Sequence, residues 1–285
     1  MTIKSETKLT DTQIKEIRTL EQSCNSHDGI MSTLFLSNDF NFDKNMKSFF
    51  LLYAEKKLVS FLTLFCPSKQ EAELSAMTLP DSRRKGYFNQ LLSCAKEELN
   101  RFNLDNILFV HNPKSMDAKN ILDKLATTLE FSEYIMHYQG PEVAYNSDML
   151  TLVEVGDESD KDSIVTIFTS AFDGESEEES IHWFECNFAS KTSQIYKAMV
   201  NEKSVGTLCV NYERDPVSIF GVCVCKEEQG KGYGKEMFLS ILSKLTKENR
   251  RIHLDVNSSN NIAFTMYQKY GFTVTAQSDY YRYIF

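Results

Sequence analysis

Near the middle of the second half, an apolar stretch, Val222-Cys223-Val224-Cys225, leads through Lys226-Glu227-Glu228-Gln229 into Gly230-Lys231-Gly232-Tyr233-Gly234. From Lys235 to Lys247 the apolar residues Met237, Phe238, Ile241, Leu242 and Leu245 then form one stripe of an amphipathic helix. A strand, a glycine-rich turn and a helix in this order leave several backbone N–H groups free at the positive end of a helix dipole. That is an anion site. Glycine at 230, 232 and 234 removes the Cβ atoms that would hold a phosphate at a distance. The two common nucleotide motifs do not fit. A Walker loop needs G-x-x-x-x-G-K-[S/T], which this turn does not supply, and the G-x-G-x-x-G fingerprint fails at Lys235.

Around this segment the pattern reads strand 151–155, helices 160–172 and 177–189, and strands 194–200, 205–210 and 217–225. The turn residues Asn201-Glu202-Lys203 and Glu213-Arg214-Asp215-Pro216 make those three strands an antiparallel meander. After the helix at 235–247 come a strand at 251–256, a helix at 260–270 ended by Gly271, and one or two closing strands. The first half repeats the order: helix 11–24, strands 49–54, 58–66 and 71–79, then a helix after Arg83-Arg84-Lys85-Gly86. A strand at 106–110, a helix at 117–129 and a strand at 131–138 complete it. Such a repeat predicts a duplicated domain. The polar stretch 139–148, opened by Gly140-Pro141, is the expected linker.

With 42% apolar and 25% charged residues the chain has the make-up of a soluble globular protein. No apolar run approaches the ~20 residues of a membrane span, and the polar first 13 residues lack a signal peptide's apolar core. A cytoplasmic location is therefore the default expectation. A net charge of −9 argues against broad binding to nucleic acid or anionic membrane. Any anion must be held by local geometry. The seven cysteines lack CxxC spacing, so neither a metal site nor a disulfide framework is expected; Cys223 and Cys225 read as a buried apolar pair.

The glycine turn resembles the first motif of the GNAT acetyltransferases, Gln/Arg-x-x-Gly-x-Gly/Ala after a strand. Gln229, Gly232 and Gly234 meet it, with Val224 five residues before Gln229. Residues 260–272 resemble the family's second motif, Asn-x-x-Ala-x-x-x-Tyr-x-x-x-Gly-Phe, through Asn260, Ala263, Tyr267, Gly271 and Phe272. Asn260, Ala263 and Tyr267 are spaced three and four apart, on one helical face. The resemblance implies an α/β (α+β) fold of two tandem GNAT-like domains, each a mixed, mostly antiparallel sheet flanked by helices. It gives a degenerate domain at 1–140 and an acetyl-CoA-binding catalytic domain at 149–285.

The activity implied is acetyl transfer from acetyl-CoA, as acyl-donor substrate, to a primary amine by direct attack in a ternary complex. Two central strands splay, and the pantetheine arm lies between them. The residues implied in binding are Val222, Val224, Gln229, Gly230, Lys231, Gly232, Tyr233, Gly234, Asn260, Ala263 and Tyr267. The Val224 N–H polarises the thioester carbonyl and Tyr267 protonates the leaving thiolate. The base is open: Glu213, His253 and Asp255 lie on or beside the central strands, and a water chain serves equally. His253 and Asp255 share one face of their strand. The acidic run Glu175-Ser176-Glu177-Glu178-Glu179 reads as a solvated helix start; a cationic acceptor is the alternative. A non-catalytic acyl-CoA sensor and a protein acetyltransferase are the competing functions, and the assembly is a monomeric pseudo-dimer or a homodimer. In the first half Arg83 and Gly86 match the turn motif, but Phe88 replaces Gly234. Aligning Glu130-Phe131 with Gly271-Phe272 puts Ala126 in place of Tyr267, so catalysis is expected to be lost there.

Overall fold

The computed structural model describes residues 1–172 and 176–285, and packing divides these into two units. The first comprises residues 1–132 and 277–285, the second residues 133–276. In chain order the elements begin with β1 (Thr2–Glu6), α1 (Asp11–Asp28), β2 (Phe49–Ala54), β3 (Lys57–Phe65) and β4 (Ala72–Thr78). Next come α2 (Tyr87–Arg101), β5 (Asn106–His111), α3 (Met116–Lys124), β6 (Thr128–Tyr138) and β7 (Thr151–Glu154). The rest are α4 (Lys161–Ala171), α5 (Glu177–Ala189), β8 (Ser193–Val200), β9 (Lys203–Asn211), β10 (Val217–Val224), α6 (Tyr233–Lys247), β11 (Ile252–Asn257), α7 (Asn261–Lys269) and β12 (Phe272–Ile284).

In the first unit β1 to β4 form an antiparallel run, β5 joins β4 in parallel, and residues 279–284 of β12 pair antiparallel with β5. The sheet is covered on both faces. Phe49 and Leu51 meet Ile17, Leu20 and Cys24 of α1, while Phe50 and Leu52 meet Leu91, Ala95 and Leu99 of α2. Burial on both sides explains why β2 reads as an unbroken apolar run, FFLLYA, rather than as alternation. A capping box between Thr10 and Gln13 starts α1, and Gly29 in the left-handed region ends it.

The second unit repeats the plan. β7, β8, β9 and β10 are antiparallel neighbours, β11 joins β10 in parallel, and residues 133–137 of β6 pair antiparallel with β11. One face packs on α6 through Ile219, Leu254 and Val256 against Met237, Phe238 and Ile241. The other receives α4 and α5, where Ile164 and Phe184 meet Ile195 and Cys209. The expected meander forms, with Asn201 and Glu202 taking the positive φ values of a tight hairpin.

Three expectations change. The units do not divide at 140/149: residues 133–148 pack with the second half and 277–285 with the first. Strand pairing decides this, since residues 133–137 hydrogen-bond to β11 and 279–284 to β5. β1 was not expected. α3 ends at Lys124 instead of 129, because Ala126 adopts a left-handed φ of 54° that stops it and lets β6 begin at Thr128. Of the one or two closing strands expected, one forms, β12, with 13 residues.

The last residues therefore support the first unit. Tyr281, 8% exposed, stands opposite Phe109 on β5 and packs edge-on against His111. Tyr281→Ala is expected to destabilise that unit by about 3 kcal/mol, the range for emptying an aromatic core position. Hydrogen exchange should show faster opening in β4 and β5, while β8 to β10 keep wild-type protection. Equal loosening of both groups of strands would contradict this assignment.

Candidate active site

β10 and β11 run in parallel register only from Val217 to Ile219, opposite Ile252 to Leu254, and then separate. On its other side β10 bulges away from β9 between Phe220 and Cys223 and resumes pairing at Cys223–Thr207 and Val224–Gly206. Gly221 makes the bulge. Its φ is +60°, and a Cβ there would come within 2.8 Å of the Trp183 ring. The interruption was visible in the sequence as a lone glycine within VSIFGVCVC, the usual mark of a bulge, but sequence reasoning passed over it.

Beyond the bulge the Cys225 N–H donates to the Val205 carbonyl on β9. Backbone groups alternate sides along a strand, so the N–H groups of Val222 and Val224 face away from β9 into the gap between β10 and β11. The Val224 carbonyl is taken by the Gln229 side-chain amide, whose Nε2 donates over 3.0 Å. Gln229 is extended, Gly230 and Gly232 have φ values of 77° and 89°, and α6 starts at Tyr233. No side chain caps α6 and its first helical bond runs from the Glu236 N–H to the Gly232 carbonyl, so the N–H groups of Tyr233, Gly234 and Lys235 lack both helical and capping partners. A Cβ built on Gly230 or Gly232 meets nothing within 4 Å, and one on Gly234 meets only Val224, at 3.6 Å. The turn thus presents an uncovered row of donors at the mouth of the gap. Lys231 lies beside it and is bonded to Glu228, as is Lys203; these ammonium groups hold the Glu228 carboxyl down at about 2. With the carboxylate tied up between two lysines, the local field at the turn is less acidic than the net charge suggests.

The second motif lies on α7, which packs against β11 and, through Tyr267, against Phe238 of α6. Asn260 is the N-cap, its Oδ1 accepting from the Ala263 N–H over 3.1 Å, which leaves the amide nitrogen to donate elsewhere. Ala263 lies partly buried against the core. Tyr267 is 6% exposed, with its ring 4.8 Å from Phe238 and 6.1 Å from Phe272. Burial pushes its phenol up to about 12, so the hydroxyl keeps its proton throughout the neutral range.

The candidate bases separate in space. Glu213 is exposed in the β9–β10 turn, at the end of β10 opposite the glycine turn. His253 and Asp255 are on one face of β11, away from Ile252, Leu254 and Val256 in the core. Burial lowers the pKa of His253, while Asp255 is exposed at the strand surface and the protein packed around its carboxyl raises it to about 6. Of the acidic run, Ser176 and Glu179 form a capping box at the start of α5, while Glu175 lies outside the described residues. Cys223 is buried beside Ile167 and Phe168, with Cys225 partly buried against them. Among the described residues no three His, Cys, Asp or Glu side chains gather as metal ligands do, and no helix is long and apolar enough to cross a membrane.

The first unit carries the same backbone with other side chains. β4 and β5 pair only from Ala72 to Leu74, opposite Ile107 to Phe109. Arg83 has φ −66° and ψ 159°, against −65° and 159° for Gln229, and Gly86 precedes α2 as Gly232 precedes α6. Arg83 Nε donates to Thr78 O over 3.2 Å, as Gln229 does to Val224. Here, however, the guanidinium is clamped by both Asp28 oxygens at 2.7 and 2.8 Å and by Asp117 at 3.2 Å. Phe88 packs its ring 6.3 Å from Phe109, where the strands part. The helix following β5 corrects the alignment expected from sequence. The left-handed residue after α3 is Ala126, as Gly271 is after α7, and Ser115 caps α3 seven residues before Leu122, as Asn260 stands seven before Tyr267. Leu122, not Ala126, takes the place of Tyr267, and Ala126, not Glu130, that of Gly271.

Comparison with known proteins agrees with this geometry. Residues 157–284 match the family model of the acetyltransferase (GNAT) domain. Among solved structures, a GCN5-related N-acetyltransferase from Sphaerobacter thermophilus superposes with a TM-score of 0.77 at 14% identity, covering 99% of this chain and 95% of that one. A tandem GNAT protein from the clavulanic acid biosynthesis pathway gives 0.75 at 12%, covering 99% and 98%. An acetyltransferase described as putative, from Pyrococcus horikoshii, gives 0.68 at 11%, covering 100% and 89%. At these identities the likeness establishes the fold. No curated protein sequence matches the chain. The parted strands, the glycine turn and the family match together make residues 157–284 a domain of the GNAT acetyltransferase family, in a chain with the tandem GNAT fold.

Proposed function

We propose that the second unit transfers an acetyl group from acetyl-CoA to a primary amine, by direct attack with both substrates bound. The observation that carries this reading is the gap beyond Ile219 and Leu254, lined by the outward N–H groups of Val222 and Val224 and ending on the uncovered turn. An extended amide-bearing arm pairs with such a strand edge, and its pyrophosphate suits N–H groups at a helix start. Gln229, Gly230, Lys231, Gly232, Tyr233 and Gly234 form the cradle, and Asn260 and Ala263 border the arm from α7.

Attack on the thioester puts negative charge on its oxygen, and the Val224 N–H is the donor assigned to it. The departing thiolate takes the proton of Tyr267. A phenol at about 12 is a weak acid in water, but the thiolate forms in the same enclosed groove, where desolvation raises its proton affinity as well. A sensor would share the cradle without needing this hydroxyl. Tyr267→Phe is therefore expected to leave acetyl-CoA affinity nearly constant and to lower kcat by ~10²–10⁴, the range for a lost general acid. Thiol release with a panel of amines reads the rate. A variant with most of its kcat would make Tyr267 a packing residue, and a wild-type protein releasing no thiol with any amine would favour the sensor.

The two copies of the turn supply a second test. Gly234→Phe places in the second unit the residue that the first carries at 88 on the same backbone, so the fold should tolerate it. The ring should enter the gap and weaken acetyl-CoA binding at least ~100-fold, about 2.7 kcal/mol. Calorimetry on the wild type is expected to give one site per chain, since Phe88 and the clamped Arg83 occupy the corresponding space in the first unit. Two equivalent sites, or a Gly234→Phe variant that binds normally, would overturn the assignment of the cradle.

A further inference from the structure

β11 sets an unusual pair of side chains against the gap. Ser218 stands opposite His253 and Ile219 opposite Leu254; Asp255 is the next residue and has no partner on β10. Across β11, His137 and Ile135 of β6 face His253 and Asp255, with the two imidazoles stacked at 5.7 Å. His137 is fixed by Thr275. The Thr275 hydroxyl donates to the Ile135 carbonyl, so its oxygen accepts from the His137 Nδ1–H over 2.6 Å. His253 is different. Its Nδ1 is buried without a hydrogen-bond partner, as is His111 Nδ1 on β5 of the first unit, a state that costs about 1–3 kcal/mol and that a bound water or ligand relieves. Among the described residues no side chain forms an ion pair or hydrogen bond with Asp255.

The duplicated sheet provides an internal control. Matching the parallel pairs Ala72–Ile107 and Val217–Ile252 puts Leu108 in the place of His253 and Val110 in the place of Asp255. The unit with Leu122 and Phe88 has an apolar edge at this point, and the unit with Tyr267 and Gly234 has an imidazole and a carboxylate. A purely structural demand of the strand would apply to both copies. Asp255 is level with Phe220, two residues short of Val222, or about 7 Å along the strand. One water spans that distance to an amine standing before the Val222 and Val224 N–H groups.

We propose that Asp255 accepts the proton that the acceptor ammonium gives up before attack, through a water positioned by His253. This rests on the acetyl-transfer reading above. The ammonium loses one proton through the water to the Asp255 carboxylate, which becomes the acid and returns the proton to solvent. The freed nitrogen lone pair forms the N–C bond as the C–S bond breaks, and the second amine proton balances the one the thiolate receives. The sum is ammonium plus acetyl-CoA giving amide, CoA thiol and one proton.

The titratable groups on this face are His253 on β11 and Glu133 and His137 on β6. β10 contributes the buried Cys223, beyond the bulge and against α4, while Arg214 and Arg251 act on the histidines from the strand's start. Desolvation by the surrounding protein raises the carboxyl of the exposed Asp255 to about 6. A base must be ionised, so kcat/KM should be complete above that value and fall as pH drops through it. The test uses the full chain and an amine of pKa above about 9, so that its own titration lies elsewhere. Asp255→Asn is expected to lower kcat/KM at pH 7 by ~10²–10⁴ and to abolish the acidic limb near 6. Asp255→Glu should restore part of the rate with a displaced limb. Acetyl-CoA affinity, measured by calorimetry, should stay within about threefold for both. An Asp255→Asn enzyme that keeps the wild-type rate or the wild-type limb removes this inference and leaves acetyl transfer intact. A wild-type protein that releases no thiol with any amine removes both.

Discussion

The early parting of two parallel strands is the constraint from which the rest of the site follows. Backbone N–H and C=O groups inside a protein must be paired, and a sheet normally pairs them with its neighbour. Between β10 and β11 that pairing lasts three residues on each strand. Beyond Ile219 the inner edge of β10 needs other partners. The protein supplies one, the Gln229 amide on the Val224 carbonyl, and leaves the Val222 and Val224 N–H groups directed into the gap. The Gly221 bulge keeps the outer edge of β10 bonded to β9 while shifting the residues beyond it, so the site is opened without detaching the strand. An extended ligand with alternating amides would complete the sheet.

Much of this could be read from the chain. The glycine turn, the amphipathic α6, the antiparallel hairpins and the repeated element order are local signals, since each depends on residues close together in sequence. What failed was non-local. The assignment of residues 133–148 and 277–285 depends on which distant strand they pair with, and neither β6 nor β12 carries a mark of its partner. The misplacement of Ala126 has a local cause. Left-handed backbone favours glycine, so alanine at that position gives no signal, and Glu130-Phe131 becomes the nearest sequence match to Gly271-Phe272. The choice among the candidate bases was not legible, because His253 and Asp255 look like ordinary outward residues until the end of their pairing with β10 is known.

Electrostatics in the second unit work against the net charge of −9 rather than with it. The cradle relies on neutral donors: first-turn N–H groups that no side chain caps, at the positive end of α6. Glu228 is neutralised between Lys203 and Lys231, and Glu236, in the first turn of α6, is engaged by Tyr145, Ser147 and Lys235. The carboxylates nearest the turn are thus each bound to protein donors, which limits their repulsion of an incoming phosphate. A site built on backbone dipoles also loses little of its attraction to solvent screening, because those dipoles are fixed before the anion arrives.

The two units show how far such a gap can be separated from its use. Arg83 and Gln229 share their backbone angles to within a degree, and both side chains take the last carbonyl of the preceding strand. The turn therefore takes the same shape with either side chain, from the strand end, the left-handed residues and the helix start. What differs is what fills the opening. In the first unit the Phe88 ring and the clamp of Asp28 and Asp117 on Arg83 satisfy it from within, at the cost of ordering several long side chains. In the second, glycine leaves it open and an orphaned imidazole nitrogen remains near its edge. Buried polar atoms without partners are costly in a folded protein and persist where something else compensates. His111 of β5 carries a second such nitrogen, 4.0 Å from the Asp279 carboxylate, so at this edge the two units differ in His253 and Asp255 against Leu108 and Val110 rather than in the orphan itself.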